Sequence, residues 1–344
     1  MKILYYLKIV FINLIVFVFL YTLIEIFSGT LFFKNKLNCH YLLCNKEYTF
    51  KNSLYEPYND IKYFKDEYGF RGREKNIDDI DILVLGGSTT DERYLNFEDT
   101  WTERLEKKIN KNLGKKLDVV NAGIDGQSSV GHIWNFDNWF AKLDNFKPKY
   151  IIVYFGLNER KDKSKYDLQY QGFSFFEKIF ILIKNNHGLT YNLYQYFSLI
   201  INKDEYKKIG HVKRKSNYEK INIENYVMSK NEKILANKIY NNLEILNNLI
   251  IDMQSIPIYI TQRSLRWKKK NNEFFSIPGE NYYRNEKLRA ETIMKFCKQN
   301  NVNCIDIFTL IELKEKDTYD LIHLNPIGAE KLSEEVYKKI RNII

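Results

Sequence analysis

The sequence has few cysteines, and their arrangement argues against a zinc site. Only four occur in 344 residues, in two close pairs, Cys39/Cys44 and Cys297/Cys304. Neither pair has the CxxC spacing, and no histidine stands beside them at a spacing typical of metal ligands, so we expect no metal. Such pairs suit disulfides in an oxidising compartment, and they equally suit buried thiols in a helix and a strand. Both possibilities stay open, because spacing does not supply the geometry of a disulfide.

The sequence also lacks any nucleic-acid-binding motif, although its formal net charge is +10. Lysine and glutamate are spread along the chain rather than gathered in one basic block, which is typical of a solvated surface. We therefore expect no nucleic-acid partner, and at most a weak attraction to anionic polymers or lipid head groups. The hydrophobic fraction of 44% is enough for a substantial core.

No signal-peptidase site of the A-x-A type follows the apolar N-terminus. Residues 3–27 are almost wholly apolar, interrupted by Lys8, Asn13 and Glu25. The run matches the roughly 20 residues that cross a bilayer and exceeds the h-region of about 7–15 residues in a cleaved signal. We interpret residues 1–28 as an uncleaved, single-pass membrane anchor. Lysines lie on both sides of the span, so its orientation is not decided by charge.

The remaining chain divides into a short segment and a large domain. Residues 29–79 are polar and aromatic without sustained periodicity, and we interpret them as a stalk that packs onto the domain. Residues 80–344 form the predicted domain, with an insertion at about 160–230. Two apolar stretches in that insertion, 173–183 and 191–201, predict packed helices, with a lid or a face on the membrane surface as the alternative.

Buried strands alternate with amphipathic helices through the domain. Apolar runs predict strands over 81–85, 117–121, 150–155, 256–261 and 302–308. The spacing of apolar residues predicts helices over 97–113, 130–146, 231–253, 283–299 and 328–343. Strand–helix alternation with short connections is typical of a parallel sheet with right-handed crossovers. The stretch 262–281 is basic, and we predict an irregular loop there.

The first predicted strand ends at Gly86 and Gly87, which places Ser88 at its carboxyl end. Ligands of open α/β sheets bind at that edge, so Ser88 is a candidate nucleophile. No Gly-Lys-Ser/Thr follows, which excludes a P-loop, and the glycine spacing is not that of a dinucleotide fingerprint.

Later strand-end loops offer the other groups that acyl transfer needs. Gly126 follows the second strand, Asn158 the third, and Asp320 with His323 the fifth. A serine hydroxyl needs a base, an imidazole needs an acid to fix its tautomer, and an oxyanion needs preorganised donors. Each residue alone has an ordinary structural interpretation as a turn, a bend, a surface acid or a core histidine, so the joint order carries the hypothesis.

That order resembles the SGNH/GDSL hydrolase superfamily. The superfamily is marked by sequence blocks in a fixed order. Gly86-Gly87-Ser88 is similar to block one, which supplies the nucleophilic serine, and residues 121–126 are similar to block two, which supplies the oxyanion-hole glycine. Residues 156–159 are similar to block three, with the oxyanion-hole asparagine, and residues 320–323 to block five, with the catalytic Asp-x-x-His. The resemblance covers about residues 81–343, and Tyr68-Gly-Phe-Arg-Gly72 is similar to a segment preceding block one in membrane-anchored bacterial members. Two departures are Gly-Gly-Ser in place of Gly-Asp-Ser and Glu159 in place of the usual aspartate.

The resemblance implies a fold and a mechanism. The fold is a flavodoxin-like three-layer α/β/α sandwich with a parallel five-stranded sheet behind the N-terminal transmembrane helix. Ser88 is then the nucleophile, His323 its base and Asp320 the orienting acid. The Ser88 and Gly126 backbone N–H groups and the Asn158 side chain form the oxyanion hole, and no cofactor is needed.

The expected function is a membrane-anchored serine esterase facing the periplasm or the exterior. It would remove O-acyl groups, O-acetyl among them, from a cell-envelope saccharide or lipid. The alternatives are a saccharide O-acyltransferase with the same triad and a non-catalytic envelope-assembly or saccharide-binding protein on this fold. Gln262 and Arg263 are predicted to bind substrate, because they begin the basic stretch after the fourth strand, where an anionic group would be favoured.

Overall fold

A computed structural model gives the architecture of the chain. The structure describes residues 2–28, 37, 39–73, 75–160, 189, 193, 197, 209–213, 217–223 and 227–344. The chain divides into two units, Met1–Asn38 with Gln169–Tyr206 and Cys39–Leu168 with Lys207–Ile344. The helices predicted over 173–183 and 191–201 lie outside the described residues, save for positions 193 and 197.

The N-terminal unit contains one long apolar helix, α1 (Lys2–Ser28). Its segment Tyr5–Ser28 has a mean hydropathy of 2.5 and is not buried against protein. At 1.5 Å per residue the helix is about 40 Å long, more than the roughly 30 Å of bilayer hydrocarbon. One N–H of the Asn13 amide and the Thr22 hydroxyl donate to carbonyls one turn earlier, at 2.9 and 2.7 Å, which lowers the cost of placing these polar groups in hydrocarbon. Helix α1 is therefore long and apolar enough to cross a membrane. A signal sequence near the N-terminus meets the same criterion.

The larger unit is built on a five-stranded parallel sheet. Ten strands are described in the chain: β1 (Lys46–Lys51), β2 (Asp60–Lys65), β3 (Ile80–Gly86), β4 (Asp118–Gly123), β5 (Tyr150–Tyr154), β6 (Glu219–Ile221), β7 (Ile256–Ile260), β8 (Trp267–Lys270), β9 (Glu273–Ser276) and β10 (Asn303–Ile305). The main sheet has the order β10-β7-β5-β3-β4, and its pairs are all parallel. In chain order this is 2-1-3-4-5, the flavodoxin-like arrangement, so the predicted sheet is confirmed.

Helices cover both faces of this sheet. The described helices of this unit are α2 (Cys39–Leu42), α3 (Ser88–Asp91), α4 (Trp101–Leu113), α5 (Ser129–Asn138), α6 (Lys230–Asp252), α7 (Tyr282–Asn300), α8 (Ile307–Leu310) and α9 (Pro326–Ile340). Helices α4 and α9 pack against each other on one face, and α5, α6 and α7 form a neighbouring row on the other. The three-layer sandwich predicted from the sequence is thereby confirmed.

The core explains why the central strands are continuous apolar runs. Side chains alternate along a strand, so Ile82 and Val84 of β3 face the layer of α4 and α9, where they join Trp101 and Leu332. On β7, Tyr259 takes part in the opposite layer, with its ring 5.7 Å from Phe296 of α7. Both faces are covered, which is why the strands lack a polar alternation.

The segment before the domain contains regular structure that its sequence did not reveal. Strands β1 and β2 pair as an antiparallel hairpin, and Cys39 is bonded to Cys44 across the turn that ends α2. The Arg71 N–H donates to the Asn121 carbonyl of β4 at 2.8 Å, so residues after the hairpin pair with the edge strand. An edge strand needs such cover against pairing with other chains.

Three predicted elements differ from the structure. Helix α5 ends at Asn138 rather than 146, and β10 ends at Ile305 rather than 308. Beyond β10, the Thr261 hydroxyl donates to the Asp306 carboxylate (2.8 Å) and accepts from the Phe308 N–H (2.9 Å), which starts α8. The stretch predicted as an irregular loop contains β8 and β9, which form a three-stranded antiparallel sheet with β6. Consecutive asparagines at 271 and 272 have positive φ, as a two-residue hairpin loop requires.

Candidate active site

Two close contacts explain the glycines that precede Ser88. A Cβ on Gly86 would lie 2.0 Å from the Thr90 hydroxyl, and a Cβ on Gly87 would lie 2.5 Å from the Asn158 side-chain nitrogen. Neither position tolerates a side chain unless its surroundings move. The chain therefore turns sharply out of β3 into α3, and Ser88 stands at the carboxyl edge of the central strand.

Ser88 begins a hydrogen-bonded relay of three side chains. Its Oγ lies 2.8 Å from His323 Nε2, and His323 Nδ1 lies 2.8 Å from Asp320 Oδ2. The other carboxylate oxygen of Asp320 accepts the backbone N–H groups of Ile322 and His323, at 2.7 and 2.6 Å. Burial by itself would raise the pKa of Asp320, but the hydrogen bonds and charge of His323 outweigh it and hold that pKa below its usual value. Asp320 is thus an ionised acceptor that orients the imidazole.

The loops that carry Gly126 and Asn158 meet at Gly87. The Asn158 amide nitrogen donates one hydrogen to the Gln127 carbonyl at 3.0 Å, which ties the two loops together. A Cβ on Gly87 would touch both that nitrogen and the Gln127 carbonyl oxygen. Gly126 has φ +72, a left-handed conformation that favours glycine. The structure therefore brings both predicted oxyanion loops against the turn that presents Ser88.

Glu159 fixes the Asn158 loop by hydrogen bonds to the start of α5. Its buried carboxylate accepts the backbone N–H and the hydroxyl of Ser129 at the start of α5, at 2.6 and 2.9 Å. Burial raises the pKa of Glu159, and the hydrogen bonds from Ser129 oppose that rise. An acid at this position thus fixes the loop in which Asn158 lies.

Gln262 and Arg263, predicted to bind substrate, are both engaged with protein groups. Buried Gln262 accepts the Leu157 N–H at 2.7 Å and donates to the Thr89 hydroxyl at 2.8 Å, so it joins the Asn158 loop to α3. Arg263 donates to the Ile311 carbonyl at 2.8 Å, and its guanidinium lies 4.0 Å from the centre of the Trp267 ring. A role in substrate binding stays a prediction for both residues.

The β1–β2 hairpin supports the site through a buried ion pair that was not predicted from the sequence. Lys65 Nζ donates to the Gly123 carbonyl at the end of β4 (2.9 Å) and lies 3.6 Å from the Asp91 carboxylate of α3. Tyr63 donates its hydroxyl to the same carboxylate at 2.9 Å. Burial lowers the pKa of Lys65, and the charge of Asp91 opposes that change. The period-two pattern of Ile61, Tyr63 and Lys65 was the available signal, because it places the lysine on the buried face.

His211 is a second histidine at the site, and no sequence motif predicts it there. Its ring centroid lies 4.3 Å from that of His323, and its Nδ1 lies 3.9 Å from Asp320 Oδ2 and 3.1 Å from the Tyr319 hydroxyl. It belongs to the predicted insertion, about 110 positions before the Asp320 motif. No local pattern links the two, since only the folded chain brings them together.

His211, Asp320 and His323 also form the group of described residues whose ligand atoms lie within 4.8 Å of one another. A histidine nitrogen binds a metal along a lone pair in the plane of its ring. The two rings are stacked with an interplanar angle of 29°, and both ring nitrogens of His323 already have partners in Ser88 Oγ and Asp320 Oδ2. The arrangement fits an imidazole stack better than a metal centre.

Comparison with known proteins returns distant structural likenesses. No family model and no curated protein sequence matches the chain. The psychrotrophic esterase EstA from Pseudoalteromonas sp. is 15% identical, with 77% of this chain and 98% of that chain covered and a TM-score of 0.42. A lipase/acylhydrolase from Enterococcus faecalis is 13% identical (77% and 97% covered, TM-score 0.43). A member of the lipolytic protein G-D-S-L family from Veillonella parvula is also 13% identical (77% and 98% covered, TM-score 0.42). At these values the likenesses establish no activity for this chain.

Proposed function

We propose that the protein is a serine ester hydrolase. One observation carries the proposal: Ser88 Oγ, His323 and Asp320 are connected by two contacts of 2.8 Å at the carboxyl edge of a parallel sheet. A hydroxyl, an imidazole and an ionised carboxylate in that order are the groups that generate a serine nucleophile.

The reaction follows from the positions of these groups. Ser88 Oγ attacks the acyl carbon as His323 Nε2 takes its proton, and Asp320 stabilises the imidazolium. The tetrahedral oxyanion accepts hydrogen bonds from the Asn158 amide and the backbone N–H groups of Gly126 and Ser88. Collapse expels the alcohol, which receives the proton from His323. A water molecule, deprotonated by His323, then attacks the seryl ester, releases the acid and restores Ser88.

We propose an O-acyl, in particular an O-acetyl, group on a cell-envelope saccharide or lipid as the substrate. Helix α1 would keep the enzyme at a membrane surface, and both cysteine pairs are bonded in the structure, which suits an oxidising compartment. Both features support a catalytic unit in the periplasm or outside the cell. Transfer to a saccharide hydroxyl is the second candidate, since a sugar can replace water in the last step. The complete relay disfavours a non-catalytic binding protein.

The test uses the full chain in detergent with a chromogenic acetyl ester. We expect alcohol and acetate to be released in equal amounts, because water resolves the seryl ester. The same reaction with added saccharide separates the two candidates, since a transferase would place acetyl on the sugar and release less acetate. Release of no alcohol under either condition contradicts both.

The proposed anchor has its own test. We expect the full-length protein to stay with the membrane fraction after a carbonate wash, because about 20 apolar residues of α1 lie in hydrocarbon. Immunoblotting of pellet and supernatant measures the partition, and N-terminal sequencing measures processing. A mature N-terminus near residue 30 in the soluble fraction would instead show a cleaved signal.

A further inference from the structure

The short segment 209–213 is held against the Ser88 site by three separate contacts. Ile209 packs on the apolar cluster that includes Phe50 and Tyr94. The Gly210 N–H donates to the Tyr94 hydroxyl at 2.9 Å. His211 Nδ1 lies 3.1 Å from the hydroxyl of Tyr319, a buried residue next to Asp320. Packing and two hydrogen bonds thus hold three consecutive residues against Tyr94 and Tyr319, which leaves the His211 ring little freedom to leave the site.

The general base His323 forms a compact cluster with two other rings. The centroids of His211 and His323 are 4.3 Å apart, and Tyr319 lies 5.8 Å from each of them. The rings of Tyr94 and His211 meet edge to face, with centroids 4.9 Å apart and an interplanar angle of 74°. Such pairs contribute beyond the area that they bury, and they restrict the orientation of the rings. One face of the His323 imidazole is therefore covered by another imidazole rather than by solvent.

We propose that His211 is a positioning residue of the relay, whose neutral ring stacks on His323 and holds it between Ser88 Oγ and Asp320 Oδ2. The inference rests on the proposed ester hydrolysis. In the transition state His323 becomes a cation, and a neutral aromatic face beside a cation is favourable. A protonated His211 would instead place a second positive charge on that face and compete for Asp320, which is 3.9 Å away.

The surroundings of His211 keep it neutral. The titratable and charged groups facing it are Tyr319, Asp320 and His323 from one loop, Arg93 and Tyr94 after α3, and Asp125 before Gly126. Burial lowers the pKa of His211, positive charge on His323 lowers it further, and Asp320 opposes both. A half-buried, neutral ring is the state that the stack requires.

Three substitutions separate the ring from its charge. His211→Ala removes the ring, and we expect kcat to fall about tenfold with little change in KM, the size expected of one aromatic pair. His211→Phe keeps an uncharged ring and is expected to recover most of kcat. His211→Arg keeps a planar group with a permanent positive charge. It is expected to lose at least as much kcat as the alanine variant and to move the acid limb of the kcat/KM profile to lower pH.

The matched control is Tyr283→Ala, which removes another half-buried ring, one that lies 4.2 Å from Phe274 rather than on His323. It should leave kcat and the pH profile unchanged, whatever it does to Tm. The parent chain is assayed first: if it cleaves no ester, the proposed function fails and this inference falls with it. If the parent is active, wild-type kcat in His211→Ala, or equal losses in the phenylalanine and alanine variants, overturns the role of His211 alone.

Discussion

Replacing Ser88 with alanine is expected to lower kcat for ester cleavage by at least about 10⁴-fold, with the folded state intact. The alanine variant leaves His323 and Asp320 in place but removes the only hydroxyl that His323 Nε2 contacts among the described residues, at 2.8 Å. Without that oxygen no seryl ester forms. The measurement is hydrolysis of a chromogenic acetyl ester by the full chain, with Tm recorded for parent and variant.

A labelling experiment locates the nucleophile independently of turnover. A serine-directed phosphonate should form one adduct, on Ser88, in the parent and none in the alanine variant. Ser333→Ala is the matched control, because the Ser333 hydroxyl bonds the Glu330 carbonyl within α9 and takes no part in the relay. It should keep both activity and labelling. An adduct on another serine, or full activity after Ser88→Ala, would refute the assignment.

The sequence predicted the sheet well because its strands are buried on both faces. Residues 82–85 of β3 are fully buried apolar side chains, and the same is true of 151–153 in β5. Runs of this kind between helical patterns have few other interpretations. The candidate relay was also visible, since Ser88 closely follows the first predicted strand, Asp320 and His323 lie in the connection after the fifth, and parallel strands bring their carboxyl ends to one edge.

Elements that depend on tertiary contacts were predicted less well. The apolar pattern continues past Asn138, yet α5 ends there, because the Trp139 side chain turns to the N-terminal segment. Its indole N–H donates to the Tyr68 carbonyl at 2.7 Å, and its ring stacks on Phe70 at 4.9 Å. The partner of this contact lies about 70 positions earlier, so the local spacing of apolar residues does not predict where the helix ends.

Two supports of the site illustrate the same limit. Lys65 is a charged residue in a segment predicted to be a polar stalk, but its side chain is buried and contacts α3 and the end of β4. His211 lies in a predicted insertion without any motif, and its importance is apparent only from its 4.3 Å separation from His323. The sequence identifies site residues that follow predicted strands. Residues that reach the site from other parts of the chain, such as Lys65 and His211, are identified only in the folded structure.

Asn158→Ala is expected to lower kcat by about 10²–10³, which corresponds to roughly 2.7–4 kcal/mol of transition-state stabilisation. In the ground state the Asn158 amide donates one hydrogen to the Gln127 carbonyl at 3.0 Å. Among the described residues its second hydrogen has no protein acceptor, and the amide borders Gly87 beside the nucleophile. If that hydrogen meets the oxyanion only as charge develops, KM should change little, because uniform binding is untouched.

Stability separates this role from that of a turn residue. Losing the bond to Gln127 should cost about 1 kcal/mol, a small change in Tm beside a large fall in kcat. Asn158→Asp should be at least as damaging, because a carboxylate repels both the Gln127 carbonyl and the developing charge. Asn110→Ala is the matched control, since its amide bonds the N–H and carbonyl of Leu117 (2.8 and 3.0 Å), before β4 and opposite the site. That variant should lower Tm and leave kcat unchanged. If Asn158→Ala instead follows this pattern, Asn158 fixes the loop and donates nothing to the transition state.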